Sequence, residues 1–259
     1  MKPNAAVSGT TPPGAPDEKQ ASEWVRRMFA GIAPRYDFLN HLLSFNIDRS
    51  WRRALLQKVR WALEDPQAIV LDLCCGTGDV YLDFSVMAKA QVIGADFCYP
   101  MLAAANVKAR RKRLRPALLD ADALILPFAD GEIDCISIAF GFRNLANYKA
   151  GLAELVRVLK PGGQVAILEF SHPSNPFVKL GYGFYSRVIL PTIGTIVSGS
   201  REAYTYLPSS IRKFPRAPAL AEMMRSAGFA RAEYQLLTGG IAALHIGTKQ
   251  ARLTRPAGD

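Results

Sequence analysis

The stretch "AIVLDLCCGTGDVYLDF", Ala68–Phe84, decides how the rest of the chain is read. It opens as an apolar run of strand length, closes in the turn Gly76–Thr77–Gly78, and continues with apolar residues at helical spacing. Glycine lets a backbone turn tightly and approach a ligand with no Cβ in the way. The same alternation repeats outward. "QVIGADF" is a second strand, "PMLAAANVKARRKR" a second helix, and "RPALLDADAL" holds a short third strand. "IDCISIAF" is a fourth strand, "KAGLAELVRVLK" a helix and "GQVAILEF" a fifth strand. Strands separated by helices of this length form right-handed βαβ crossovers and a parallel sheet. The end of the chain differs: "ALAEMMRSAGF" is a helix stopped by Gly228, and "RAEYQLLTGGIAALHIGTK" reads as two strands around Gly239 and Gly240. That hairpin adds an antiparallel strand to the sheet.

A chain of 259 residues, 49% apolar, builds one domain around one sizeable core. The expected organisation is a disordered tail over 1–20, a single domain over 21–250 and a tail over 251–259. Within the domain, 21–62 reads as a helical cap and 171–216 as an insertion on the substrate side. The first twenty residues hold no apolar core of a signal peptide. No window approaches the ~20 apolar residues a membrane span needs. Cys74, Cys75, Cys98 and Cys135 lack metal-ligand spacing and read as reduced, buried thiols of a cytoplasmic protein with no metal.

The net charge of +10 calls for an anionic partner, either nucleic acid or the surface of an anionic membrane. "KARRKRLR", Lys108–Arg115, reads as a solvated helix end. A second basic set (Arg26, Arg27, Arg35, Arg49, Arg52, Arg53, Lys58, Arg60) lies among Trp24, Phe29, Leu42, Leu43, Phe45 and Trp51. Such a mixture suits a helix on a membrane surface, and equally one packed on its own domain.

The glycine turn is not that of a dinucleotide site. The third glycine of G-x-G-x-x-G is replaced by Tyr81, and Asp79 stands at the helix start, where it would repel a phosphate. Asp72 closes the first strand, so carboxylates surround the turn and favour a ligand bearing an ammonium group. Asp96 ends the second strand, the position from which a carboxylate binds ribose hydroxyls. Phe97 is placed to pack on an adenine, and Asp122 with the Ala123 backbone to meet its edge. A nucleoside with an ammonium and no phosphate is S-adenosylmethionine, with Asp72, Gly76, Gly78, Asp96, Phe97, Asp122 and Ala123 as candidate contacts.

Six segments extend this reading: "APRYDFLNHLLSFNIDRSWRR", "VLDLCCGTGD", "FGFRN", "RVLKPGGQVAILEFS", "YTYLPSSIRKFP" and "GGIAALHIGTK". In this order they resemble the ubiquinone/menaquinone biosynthesis C-methyltransferases from about residue 22 to 249. The resemblance implies an α/β fold of the class I methyltransferase kind, Rossmann-like. Its sheet has seven mostly parallel strands, the last antiparallel, beside an N-terminal helical cap. It also implies methylation of a ring carbon on a polyprenylated quinol, with Thr77 joining Asp96, Asp122 and Ala123 at the cofactor. The "CCGTGD" form is closer to menaquinone-pathway members, which makes demethylmenaquinol the first substrate and the ubiquinone precursor the second. Asp48, Ala139 and Asp122 depart from the family pattern, which has His, a small polar residue and Asn there.

A ring carbon attacks a methyl donor poorly unless a neighbouring hydroxyl ionises, and a phenol with a pKa of ~10 stays neutral at pH 7. Preorganised positive charge at the oxyanion answers this. Arg143, after strand four, is the candidate; its alternative role is to pair with a carboxylate such as Asp37. His172, after strand five, is a candidate base or a structural loop residue. Tyr36, Asn40, Asn144, Tyr204 and Tyr206 are the candidate substrate contacts, with pocket lining and lid packing both open to the tyrosines. His41 and His245 read as packing residues.

"YSRVILPTIGTIVSG" is too short to span a bilayer and suits an isoprenoid tail or a bilayer surface. The chain is therefore expected in the cytoplasm with a peripheral contact to anionic membrane, as a homo-oligomer or within a quinone-synthesis complex, and with no nucleic-acid partner. A nucleic-acid methyltransferase of the amino-group kind would carry N/D-P-P-aromatic where "FGFRN" stands. A non-catalytic scaffold would bind the cofactor without turnover.

Overall fold

The computed structural model describes residues 9–37, 46–173, 178, 183 and 201–251. Its strands are β1 (Ile69–Leu73), β2 (Gln91–Asp96), β3 (Leu118–Asp120), β4 (Ile133–Ala139), β5 (Leu159–Phe170), β6 (Phe229–Leu237) and β7 (Ala242–Lys249). They pair in the order β3-β2-β1-β4-β5-β7-β6. β1 to β5 are parallel, and β7 runs antiparallel between β5 and β6. The strand order reverses between β1 and β4, and a crevice opens beyond the carboxyl ends at such a switch point.

Helices cover both faces, so the central strands read as near-continuous apolar runs. On one face Leu71, Ile136, Ile138 and Ile167 pack with Leu152 and Leu155 of α5 (Tyr148–Val158) and Leu220 and Met224 of α7 (Ala217–Ala227). On the other, Val70, Cys135, Ala166 and Leu168 pack with Trp51, Leu55, Val59 and Leu63 of α2 (Asp48–Glu64) and with Tyr81 and Phe84 of α3 (Asp79–Met87). Gly228 ends α7 in the left-handed region, φ 113°, as a C-terminal glycine does.

The third glycine is missed for a physical reason. Tyr81 fills its place, and the close approach of helix to strand is made by Gly94 of β2 instead. A Cβ at Gly94 would stand 2.9 Å from the Tyr81 ring. The buried phenol then accepts a hydrogen bond from the Ala117 N–H at 2.8 Å.

Two expectations are corrected. Residues 9–20 are not a free tail. Asp17 caps α1 (Glu18–Ile32) by accepting from the Gln20 N–H, and the Thr10 N–H donates to the Leu145 carbonyl at 2.8 Å. The cap over 21–62 is also divided. α1 lies against α4 (Tyr99–Arg111) and α6 (Arg201–Lys213), whereas α2 buries Trp51, Leu55 and Val59 on the sheet. The basic residues of α2 thus belong to a helix packed on its own domain. Asn40, His41 and the segment 185–199 lie outside the described residues, as does the side chain of Tyr204. Among the described residues no helix is long and apolar enough to cross a membrane, and no group of His, Cys, Asp or Glu is gathered to hold a metal ion.

Candidate active site

A cleft opens beyond the carboxyl ends of β1, β2 and β4, the place where open α/β sheets take their ligands. Of the expected residues, Gly76, Asp96, Phe97, Asp122, Ala123, Tyr36 and Asn144 line it, with Tyr36 packed beside Gly76 and Phe97. Asp72, Thr77, Gly78, Arg143, His172 and Tyr206 are not on its surface; each stands behind it or beside it.

The turns that shape the cleft depend on backbone approach. Gly76 and Gly78 take φ of 55° and 84°, and Cys74 and Phe140 adopt positive φ as well. Gly141 has a packing role: a Cβ there would stand 2.3 Å from the Cys74 Cβ, so its absence lets the turn after β4 cross the turn after β1.

Asp96 accepts from the Gly76 N–H at 2.9 Å on one oxygen and the Cys98 N–H at 2.8 Å on the other. Each carboxylate oxygen has a second lone pair, which leaves acceptor capacity for a pair of hydroxyls. Burial pushes its carboxyl up to about 6, against the lowering effect of those N–H groups. Asp122 accepts from the Leu124 N–H at 2.9 Å. The Arg26 guanidinium of α1 lies 5.4 Å from the centre of the Phe97 ring, a cation–π contact that fixes this wall of the cleft.

Asp72 is 1% exposed. Ser137, opposite it in register on β4, donates to Oδ1, and Oδ2 is a buried acceptor with no partner. Burial pushes this carboxyl up to about 7. Asp79, by contrast, is not a free negative charge for a ligand. It is held by Arg52 at 2.6 Å and Lys108 at 2.7 Å, which keep its carboxyl below the usual range despite burial. Arg52 also pairs with Asp48 at 2.7 Å. Lys108 reaches Asp37 at 2.6 Å, and the Thr77 hydroxyl donates to that same carboxylate. The glycine turn is therefore tied to the cap through Asp37, and Asp37 is not the partner of Arg143.

That partner is Glu169, which the sequence reading passed over inside the strand run "GQVAILEF". Glu169 is 1% exposed and Arg143 5%. One carboxylate oxygen accepts from Arg143 Nη1 at 2.9 Å and the Phe170 N–H at 2.8 Å, and the other from the Arg143 N–H at 3.1 Å. Arg143 Nη1 also donates to the Phe140 carbonyl. The guanidinium lies 5.3 Å from the centre of the Phe170 ring, and Nε is a buried donor with no partner. Burial holds the Glu169 carboxyl above its usual range even beside Arg143.

His172 is half-buried, and burial lowers its pKa against a hydrogen bond to the Arg212 backbone. It is thus turned to α6, and the structure does not bring it into the cleft beside Arg143. His245 is a buried packing residue, with Nε2 2.9 Å from the Ala217 carbonyl. Tyr206 is buried behind the cleft and donates to Asn144 Oδ1 at 3.0 Å. The Tyr36 ring packs edge-on to Phe29 at 5.9 Å.

A model of the ubiE/COQ5 methyltransferase family matches residues 17–249. The chain belongs to this family. It is 49% identical over 223 residues to a protein of Thermus thermophilus named demethylmenaquinone methyltransferase, covering 86% of this chain and all (100%) of that one. A protein of the same name from Deinococcus radiodurans is 44% identical, covering 92% and 98%. A protein of Geotalea daltonii named ubiquinone/menaquinone biosynthesis C-methyltransferase UbiE is 42% identical, covering 89% and 98%. Among solved structures, a SAM dependent methyltransferase from Aquifex aeolicus superposes with a TM-score of 0.54 at 19% identity, over 76% of this chain and 88% of that one. The [4+2]-cyclase SpnF superposes at 0.58 and 19%, over 77% and 82%. At such identities the likeness is one of fold alone, and fold does not fix chemistry. The family's fold is the Rossmann-like one expected, with β7 as its antiparallel strand.

Proposed function

We propose that this member of the family transfers a methyl group from S-adenosylmethionine to a ring carbon of a polyprenylated quinol, demethylmenaquinol before the ubiquinone precursor. The observation that carries the reading is that one cleft has Asp96, Phe97 and Asp122 on one side and Asn144, backed by Arg143, on the other. The names of the relatives from Thermus and Deinococcus supply the substrate.

The cofactor side fits the ligand. Asp96 accepts from the ribose hydroxyls, and Phe97 and Asp122 receive the base. The buried Asp72 carboxyl, behind the cleft surface, favours the ammonium end through its charge rather than by contact. S-adenosylmethionine supplies an electrophilic methyl group when bound. The protein's task is to make the acceptor carbon nucleophilic, by favouring loss of the proton from the neighbouring ring hydroxyl to water. Once the methyl group has joined the ring carbon, that carbon's own hydrogen leaves as a proton to water as well. Arg143 stands behind the cleft surface, locked by Glu169 and Phe140, so its oriented Nε–H acts on a ring oxygen through one water rather than by direct contact. Because Glu169 balances its charge, the ring oxygen meets an oriented dipole rather than a full positive charge. His172 packs α6 in this reading and takes no proton.

The test is to give the purified protein labelled S-adenosylmethionine with reduced demethylmenaquinone and, separately, with 2-methoxy-6-polyprenyl-1,4-benzoquinol. Product mass one methyl heavier from the first is expected. Product only from the second would move the substrate, and product from neither would end the reading. Arg143→Ala should lower turnover far more than cofactor affinity; the reverse would make Arg143 structural. The net charge of +10 and the insolubility of the substrate support a peripheral contact with anionic membrane. Indifference to anionic liposomes at low salt would remove it.

A further inference from the structure

Thr10 lies outside the family-matched residues 17–249, yet it is 6% exposed and tied to the cleft. Its backbone N–H donates to the Leu145 carbonyl at 2.8 Å. The residue before it passes so close to the turn after β4 that a Cβ at Gly9 would stand 1.8 Å from the Ala146 carbonyl oxygen. No other residue fits there without displacing the strand of chain. The Thr10 hydroxyl is 2.7 Å from the Tyr206 hydroxyl, and the Tyr206 ring is held by Trp24 with centroids 5.1 Å apart.

The order of donation along this chain follows from the count of protons. Tyr206 has one hydroxyl proton and gives it to Asn144 Oδ1 at 3.0 Å, so Thr10 donates to Tyr206. Each link strengthens the next as an acceptor or donor. Asn144 lines the cleft. With Oδ1 engaged, its remaining polar group is the Nδ2 amide, whose contact with the Phe140 carbonyl is long, at 3.4 Å.

We infer that Thr10 and Tyr206 are positioning residues, which hold the Asn144 amide so that it offers the cleft a donor rather than an acceptor. The inference rests on the proposed quinol reading and deepens it. An ionised ring oxygen only accepts hydrogen bonds, whereas a neutral hydroxyl also needs an acceptor for its proton. A fixed donor therefore selects the ionised acceptor over the neutral one. The N-terminal segment is thereby part of the substrate wall although it lies outside the family's matched span.

The experiment compares Thr10→Val, Thr10→Ser, Tyr206→Phe and Gly9→Ala with wild type in the full chain. It measures kcat against pH, cofactor affinity by calorimetry and thermal midpoint. Loss of one hydrogen bond in the relay should lower kcat about 5–10-fold in Thr10→Val and at least as much in Tyr206→Phe. The rising limb of the pH profile should move to higher pH while cofactor affinity stays. Thr10→Ser, which keeps the hydroxyl, should remain near wild type. Gly9→Ala, which displaces the segment while removing no polar group, should resemble Thr10→Val. Adding Thr10→Val to Tyr206→Phe should cost nothing further, because the relay is already cut. A Thr10→Val profile identical to wild type would overturn the inference, as would Thr10→Ser falling as far as Thr10→Val. The two readings fail differently. Wild type that methylates no quinol ends the proposed function, whereas active wild type with a silent Thr10→Val ends only this inference.

Discussion

The two walls of the cleft are built in different ways. The cofactor wall comes from one continuous stretch of chain, in which Asp96 and Asp122 are held by backbone N–H groups of that stretch: Asp96 by Gly76 and Cys98, Asp122 by Leu124. The acceptor wall is assembled from separated segments. Thr10, Asn144 and Tyr206 meet in one hydrogen-bond chain, and Arg143 meets Glu169 on the neighbouring strand. A wall fixed by local backbone tolerates the loss of a side chain better than one held by long-range polar pairs. Binding and fold stability should therefore come apart on the first wall and fail together on the second.

The most severe break is Glu169→Ala. It leaves the Arg143 guanidinium buried without its counter-charge, and losing one partner of a buried pair costs about 3–5 kcal/mol. The expected result, read by denaturant unfolding, is a loss of that order together with turnover. Glu169→Gln, which keeps the acceptors but not the charge, should fall between. A Glu169→Ala protein as stable as wild type would show that the guanidinium finds water, and that the acceptor wall is less closed than its burial implies.

These differences also explain what a linear sequence displays and what it hides. The succession of strands and helices, the antiparallel hairpin at the end and the places of Asp96 and Asp122 follow from local period and turn chemistry, which a linear sequence displays. Glu169 was hidden because a carboxylate inside an apolar strand run carries no mark of its partner across the sheet. The Thr10 relay was hidden because proline and glycine over residues 1–20 have the composition of a disordered tail; there Gly9 instead permits a close crossing. Asp79 is visible in the sequence, but its pairing with Arg52 and Lys108 is not, because it depends on where α2 and α4 dock. The place of Arg143 after strand four marks it as a candidate but cannot choose its carboxylate.

Asp72 tests the cofactor wall at an intermediate size. Its folded pKa of about 7 is raised from 3.8 by burial, so its contribution to stability is full below pH ~4 and declines as pH rises through 7. Asp72→Asn removes that decline. Relative to wild type, the unliganded variant should gain on the order of 2–3 kcal/mol between pH 5 and pH 8, and it should bind cofactor more weakly. Because Asp96 moves in the same direction in both proteins, only the difference between them is informative. A difference that does not grow with pH would mean that Asp72 is ionised at little cost in the free protein, with solvent reaching the unpartnered oxygen.

The smallest effect sharpens the comparison most finely. Lys108 bridges Asp37 of the cap and Asp79 at the start of α3 while remaining 25% exposed at its side chain. Pairs of this exposure contribute about 0.5–1 kcal/mol and weaken with salt. Lys108→Ala should lose roughly that much stability at low salt and less at high salt, because Arg52 still holds Asp79 and Thr77 still donates to Asp37. Cofactor affinity separates two views of Asp79. If its charge is confined to the network behind the cleft, affinity changes little when Lys108 is removed. If the charge reaches the bound ammonium, unmasking it should strengthen binding several-fold, and the effect should fade as salt is added. Constant affinity would place cofactor recognition with Asp96, Asp122 and Asp72, and leave Asp79 to hold the glycine turn to the rest of the domain.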